Sequence, residues 1–390
     1  ELPVSWRVDD FLEPLDASVE VEIAGERIKV SGWRYDLEGI NGHTVPVIFL
    51  DTNIPGNSEE NKDLTDDLYG GDDLYRLKQE VILGVGGVRL LEKLGYSSID
   101  NYHLNEGHSS FLCLELARKL GSRDDVRRHC NFTTHTPVPA GHDKFEWSDV
   151  EEVINSQLFN FIPETLQKKE KLNMTGLALE MSGYINGVAK KHAQVSRTMF
   201  PNYPIHSISN GVHAPTWVSK PFQELYDRAI PTWRKNPEEL RAVSGIEKEK
   251  IWEAHREMKE NVVDYVNNET NAGFDYDFFT LCWARRFTAY KRPMLLFEDI
   301  DRLQKIADKH GPLQIIYAGK AHPRDNEGKE LIKKIVTLSQ DLNGKVNLVY
   351  LENYNMDLAK KLVAGVDLWL NTPLPPHEAS GTSGMKCALN

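Results

Sequence analysis

The regular alternation of the last hundred or so residues constrains this chain most. A charged amphipathic helix over residues 246 to 268 comes first. After it, four short apolar runs, "FFTLCWARR", "LQIIYAGK", "VNLVYLEN" and "VDLWLNTP", are separated by helical stretches around 293 to 310, 327 to 340 and 355 to 364. Strands that alternate with helices of this length are joined by right-handed crossovers and form a parallel sheet. In such a sheet, ligands bind beyond the carboxyl ends of the strands, where polar residues follow apolar runs.

The first half repeats the scheme more loosely. The first fifty residues read as β, in "SVEVEIAG", "ERIKVSGWRY" and "TVPVIFLDT". A polar loop running through "GGDD" leads into "LYRLKQEVILGVGGVRLLEKLGY", whose apolar residues recur at helical spacing. "IDNYHLN" then reads as a strand, "GHSSFLCLELARKLG" as a helix and "HCNFTTHTP" as a strand. "LALEMSGYINGVAKKHAQVSRTMF" reads as helical and "IHSISN" as a strand. The expected architecture is two α/β domains: residues 1–210, with a β-rich insert at 1–51, and residues 211–390. The glycines of "GVGG" at 84 to 87 lie inside a helical pattern with no strand before them, so they lack the setting of a phosphate-cradling loop.

Composition narrows the function. A net charge of −12 argues against a nucleic-acid or anionic-membrane partner, so an anionic ligand needs a local basic pocket. The 4 cysteines are scattered, without CxxC or Cys/His metal spacing; reduced thiols, a cytoplasmic setting and no metal are expected. No apolar run approaches the ~18 residues of a membrane span.

Four strand ends carry unusual polar residues. In "HLNEGHS", Asn105, Glu106 and His108 open a helix, either as caps or as a polar wall for a hydroxyl-rich ligand. In "FTTHTPVPAGH", His135 and His142 sit on a proline-bounded loop, as structural residues or as neutral donors to a hydroxyl. In "CWARRFTAYKRP", Arg285, Arg286, Lys291 and Arg292 follow an apolar strand. Guanidinium forks and an ammonium there suit phosphate oxygens, against the plainer reading of a solvated face. In "HEASGTSGMKCALN", a Gly/Thr/Ser turn precedes Lys386. Its amine could condense with an aldehyde cofactor, although a lysine on a surface helix is the commoner case.

Taken together these stretches resemble the glycogen (α-glucan) phosphorylase family, in its short bacterial and archaeal type. The resemblance runs through "GGDDLYRLKQEVILGVGGVR", "HLNEGHSSF", "FTTHTPVPAGH", "INGVAKKH", "SISNGVHAPTW", "ARRFTAYKRP", "LENYNMDLA" and "EASGTSGMK", in one order. It implies a GT-B fold, with two Rossmann-like domains facing a cleft, both incomplete in this chain. It implies retaining phosphorolysis of a terminal α-1,4-linked glucose to α-D-glucose 1-phosphate. Pyridoxal 5′-phosphate would be held by Lys386, with its 5′-phosphate as proton donor and acceptor. By the same resemblance, Arg285 would face the cofactor phosphate, and Arg286 and Lys291 would clamp the substrate phosphate. Thr382, Ser383 and Gly384 would hold the cofactor phosphate, and Tyr354 and Trp217 would line the cofactor pocket. Glu378 and the amides of Ala379, Ser380 and Gly381 would bind sugar hydroxyls. Asn210 and His135 would contact the glucosyl unit, with the carbonyl of His135 toward the developing positive charge. Glu106 and His108 would line the pocket behind the sugar. The implied partners are inorganic phosphate, an α-1,4-glucan such as glycogen, starch or maltodextrin, and a second copy in a homodimer.

The family's N-terminal "GGLG" loop and its strands beyond the cofactor lysine have no counterpart here. The chain is therefore expected to be an internal fragment with little activity alone. Two other readings remain at this point: a nucleotide-sugar glucosyltransferase of the same architecture, and a glucan-binding remnant without turnover.

Overall fold

The structure is a computed structural model that describes residues 6–68, 71–342 and 344–390. The start of the β-rich insert and Gly70 of the "GGDD" stretch lie outside those residues. The chain is mixed α/β and divides into two compact units, one ending at Ser209 and one spanning Asn210–Asn390. Among the described residues, no helix is long and apolar enough to cross a membrane.

The first unit opens with an antiparallel sheet of β1 (Glu13–Pro14), β2 (Val19–Ile23), β3 (Glu26–Glu38) and β4 (Thr44–Asp51), in which β3 pairs with the other three. Next comes a parallel sheet of β5 (Tyr102–Asn105), β6 (Cys130–Thr134), β9 (Tyr184–Gly187) and β10 (His206–Ser207), in the order β10-β9-β6-β5. Two short strands, β7 (Lys144–Glu146) and β8 (Lys171–Asn173), pair antiparallel between β6 and β9 in sequence. One core joins Val21, Ile28, Leu77, Val85, Leu104, Phe132 and Ile185.

One helical expectation needs correction here. The stretch from Leu177 to Phe200 is not one helix: β9 separates the helices Met174–Met181 and Lys190–Met199. Gly183 makes the break. A Cβ there would lie 2.1 Å from the Arg127 carbonyl oxygen, and its N–H completes a hydrogen bond to the Cys130 carbonyl at 2.9 Å. The apolar spacing of "YING" could not distinguish a buried strand from a helical turn. The "GVGG" stretch does lie within a helix, but as a wide five-residue turn, Ile82–Gly86, between regular helical segments. Gly84 of this turn faces the next helix: a Cβ would sit 2.5 Å from the Leu112 amide nitrogen, so the two helices meet backbone to backbone.

The second unit is built on β11 (Phe279–Ala284), β12 (Leu313–Ala318), β13 (Val346–Leu351) and β14 (Leu368–Trp369), all parallel, in the order β13-β12-β11-β14. Period-two alternation sends Cys282, Ala284, Ile316, Ala318 and Val349 to one face, where the helices Lys248–Thr270 and Met356–Gly365 cover them. It sends Leu281, Trp283, Ile315, Tyr317 and Leu348 to the other, against the helices Ile300–His310 and Asn326–Asp341. Burial on both faces explains the nearly continuous apolar runs.

β14 is only two residues long, and a buried ion cluster secures it. Asp367 Oδ2 accepts from Lys259 Nζ at 2.7 Å and from the Thr280 amide at 2.8 Å, and Oδ1 lies 2.9 Å from His255 Nε2. Asp367 and Lys259 side chains are each 8% exposed. Removing one partner leaves an uncompensated buried charge. Asp367→Ala should therefore lower the stability of this unit by about 3 to 5 kcal/mol. Urea unfolding measures it, and a loss below about 1 kcal/mol would mean the cluster is not buried as described.

Candidate functional site

The carboxyl end of β11 leads directly into the cationic run. The Arg285 amide bonds to the Ala318 carbonyl at 3.1 Å, and Phe287 N–H to the Lys320 carbonyl at 2.8 Å. Gly319 makes this crossing possible. Its φ is +145°, and a Cβ would lie 1.9 Å from the Arg285 carbonyl oxygen. The backbone therefore fixes where the Arg285 side chain starts.

Arg285 is 9% exposed, yet its Nε and Nη1 are buried with no hydrogen-bond partner among the described residues. Its Nη2 reaches Ser383 Oγ at 3.4 Å and lies 3.9 Å from Glu378 Oε1. Burial lowers its pKa from the ordinary arginine value, with the Glu378 charge opposing. Lys291 is also buried and is ion-paired with Glu378 Oε2. Two buried cations thus share one carboxylate.

The loop carrying Glu378 is bonded to the segment carrying Lys291. Arg292 Nε donates to the Thr372 carbonyl at 2.7 Å, Thr372 Oγ1 to the Lys291 carbonyl at 3.1 Å, and the Leu374 amide to the Tyr290 carbonyl at 2.8 Å.

Lys386 lies on the short helix Ser383–Cys387. Its ammonium stands 3.8 Å from the centroid of the Trp217 ring, a cation–π contact. Burial lowers the lysine pKa from its ordinary value. One turn of helix is not stable alone. Here Asn390 anchors it: Nδ2 donates to the Trp217 and Lys386 carbonyls, each at 2.9 Å, and Oδ1 accepts from the Ser219 amide at 2.7 Å. Tyr354 is half-buried, and burial pushes its phenol up to about 12.

The structure thus joins Arg285, Lys291, Glu378 and Ser383 directly and joins Lys386 to Trp217. Thr382, Ala379, Ser380 and Gly381 are half-buried on the same connecting loop, and Gly381 takes a left-handed φ of +73°. Gly384 and Arg286 are exposed, and Asn210 is half-buried in irregular chain. Glu378 has cations as its immediate partners, where the sequence suggested sugar hydroxyls.

In the first unit, Glu106 and His135 are directly bonded: the Glu106 carboxylate accepts from the His135 amide. His108 belongs to a separate cluster. Its Nδ1 lies 3.0 Å from Asp143 Oδ2, 2.9 Å from Arg76 Nη2 and 3.8 Å from Glu80 Oε1. Hydrogen bonding to Asp143 raises His108 to about 9, and burial raises Glu80 to about 8. Burial also pushes Asp143 up, but the His108 and Glu80 hydrogen bonds and the Arg76 charge outweigh it and hold the carboxyl low. Glu80, His108 and Asp143 bring potential metal-ligand atoms within 4.8 Å of one another. The Arg76 guanidinium already stands among them as the cation, 3.3 Å from Asp143 and 3.7 Å from Glu80.

Sequence reasoning missed Arg76, Glu80 and Asp143. The available signal was the i,i+4 spacing of Arg76 and Glu80, which puts both on one helix face.

The profile of the carbohydrate phosphorylase family matches residues 146–390. The chain is 38% identical over 394 residues to the maltodextrin phosphorylase of Thermococcus litoralis, covering 90% of this chain and 47% of that protein. It is 32% identical to the glycogen phosphorylase of Aquifex aeolicus, covering 98% of this chain and 64% of that one. It is 35% identical to the glycogen phosphorylase of Mycobacterium tuberculosis, covering 89% and 46%. The chain belongs to the carbohydrate phosphorylase family. It spans about half to two thirds of the length of these curated relatives.

Two predictions follow from the site chemistry. Inorganic phosphate should raise the melting temperature of the chain, because it offers the acceptors that Arg285 lacks; at 100 Kd the gain is about 2.7 kcal/mol. Arg285→Met should abolish most of that shift without lowering the basal melting temperature, since it removes a buried cation with unmet donors. An undiminished shift in the variant would place phosphate elsewhere.

The second concerns pH. Glu80 and His108 both have folded-state pKa values above their unfolded ones, so both bind protons more tightly when folded. Their stabilising contribution is complete below about pH 4.5 for Glu80 and 6.5 for His108, and is lost as pH rises through about 8 and 9 respectively. Urea unfolding between pH 5 and 9 should show this decline, flattened in Glu80→Gln.

Proposed function

We propose that this chain is the core of an α-glucan phosphorylase, which transfers a terminal α-1,4-linked glucosyl unit to inorganic phosphate with retention. The observation that carries this is the buried Arg285–Lys291–Glu378 cluster, with unmet guanidinium donors, on the unit that also holds the part-buried amine of Lys386. Family membership and the names of the relatives support it. Each unit is then one Rossmann-like half of a GT-B enzyme.

The residues fit pyridoxal 5′-phosphate. Lys386, its proton affinity lowered by burial, is a competent amine for an aldehyde; Trp217 beside it and Tyr354 supply aromatic walls; and Arg285, Ser383, Thr382 and Gly384 supply donors for a phosphate. When bound, the cofactor supplies a phosphate that exchanges a proton with the substrate phosphate.

Lys291 and Arg286 then hold the substrate anion, and their charge offsets two phosphates held near each other. An arriving anion competes with Glu378 for Lys291. Its displacement frees the Glu378 carboxylate to accept sugar hydroxyls beside the amides of Ala379, Ser380 and Gly381, so phosphate and sugar binding are linked. In the first unit, the His135 carbonyl is assigned to the positive charge developing on the glucosyl ring. Glycogen, starch or maltodextrin, a cytoplasmic location and a homodimer accompany this reading.

The test is direct. The protein carrying this sequence, incubated with maltooligosaccharide, phosphate and pyridoxal 5′-phosphate, should release glucose 1-phosphate and bind one cofactor per chain. Lys386→Ala should lose retention of the cofactor through gel filtration. Stoichiometric retention in that variant removes the assignment of Lys386, and glucosyl transfer from a nucleotide sugar instead of phosphorolysis removes the assignment of the reaction.

A further inference from the structure

Glu106 is 8% exposed at the carboxyl end of β5. Its own amide completes the β5–β6 ladder by donating to the Thr133 carbonyl at 2.9 Å. The chain then turns sharply: Glu106 has φ +64° and ψ −177°, a conformation that glycine adopts and other residues avoid. Such a backbone persists where the surroundings over-determine it. Here the surroundings are three donors from the last residue of β6 and the loop that follows it. Glu106 Oε1 accepts from Thr134 Oγ1 at 3.2 Å. Oε2 accepts from the His135 amide and, at 3.2 Å, from Thr136 Oγ1.

His142 is a titratable neighbour, with Nδ1 at 3.9 Å from Oε1. Burial lowers its pKa, so it favours the neutral form, and its Nδ1 lies 2.8 Å from Thr175 Oγ1. The carboxylate is therefore satisfied by neutral donors from three consecutive residues.

That arrangement brackets one peptide group. The His135 amide fixes the peptide plane on one side of His135, and the Thr136 hydroxyl fixes the residue on the other side. The His135 carbonyl lies between these two anchors, and both end on the same carboxylate oxygen. We propose that Glu106 is a positioning residue: its carboxylate holds the 134–136 loop and thereby aims the His135 carbonyl dipole, and it does not itself bind the sugar. The strained backbone at Glu106 is what turns the side chain across to β6. The proposal deepens the phosphorylase reading and rests on it for its kinetic consequence, not for the brace.

The test therefore has two readouts. The first is hydrogen exchange of the His135 amide in the chain, which needs no activity. Glu106→Ala should lower its protection by at least about tenfold. Glu106→Gln should retain it, because the amide oxygen can still accept from His135 and the Thr134 hydroxyl can rotate to accept from the amide nitrogen. Unchanged protection in Glu106→Ala overturns the brace. If that variant does not fold, Thr136→Val removes one anchor and should still lower protection several-fold; no change there overturns the brace equally.

The second readout is phosphorolysis by the protein carrying this sequence. Glu106→Ala should lose about a hundredfold in kcat with little change in the KM for glucan, as expected for a misplaced dipole acting on the transition state. Glu106→Gln should recover most of it. A Gln variant as impaired as Ala would show that the charge itself acts, and a rise in KM alone would show a sugar contact; either result overturns the proposal. Absence of phosphorolysis in the unmodified protein would instead defeat the functional reading and leave the exchange result to decide the brace.

Discussion

A buried guanidinium with unmet donors is the constraint on which the second unit's chemistry depends. Arginine cannot shed its charge within a protein, so burial cannot be relieved by deprotonation as it is for lysine. Arg285 must find acceptors or remain a local cost. Glu378 offsets part of the charge at 3.9 Å without making a hydrogen bond, and it is shared with Lys291. The backbone that carries the group is held in place, because the chain leaving β12 passes at Gly319 against the Arg285 carbonyl. The chain therefore carries a fixed demand for oxygen acceptors at the end of β11. The loops after β11 and β14 are bonded to one another around it.

The first unit shows the opposite electrostatic solution. Glu106 is an anion whose oxygens are supplied with neutral donors, so it has little capacity left for an incoming group. One unit holds a cation short of partners, which suits binding. The other holds an anion already occupied, which suits support. Residues of similar exposure and charge magnitude, 9% for Arg285 and 8% for Glu106, thus take different tasks because their hydrogen-bond accounts differ.

Much of the second unit was legible in the sequence. Its strands are buried on both faces and carry apolar runs bounded by glycine, proline or charge, so their number and order could be read directly. The cationic run and the Gly/Thr/Ser turn were visible as polar residues after strands. The edge was less legible: "VDLWLNTP" yields only Leu368–Trp369 as strand, and "IHSISN" only His206–Ser207. At such edges pairing depends on neighbours distant in sequence. β9 was hidden inside a helical reading because the contact requiring Gly183 is with Arg127, more than fifty residues away. The same limit applied to function. Residue type and place suggested Glu106 and Glu378 as hydroxyl acceptors, but their partners, a loop amide and a lysine, come from elsewhere in the chain.

The Asp367 cluster also has a consequence for the order in which the second unit assembles. Asp367 joins the start of β14 to Thr280 at the start of β11 and to His255 and Lys259 on the long helix, partners 87, 112 and 108 positions away. Closing loops of that size costs entropy before contacts can offset it. The edge strand therefore docks after the long helix and β11 have come together. Glu378 and Lys386 lie beyond that strand, so they reach their places late. A molecule that requires both the cationic run and Lys386 would engage only chains that have completed this last step, and its binding would act as a check on the finished fold.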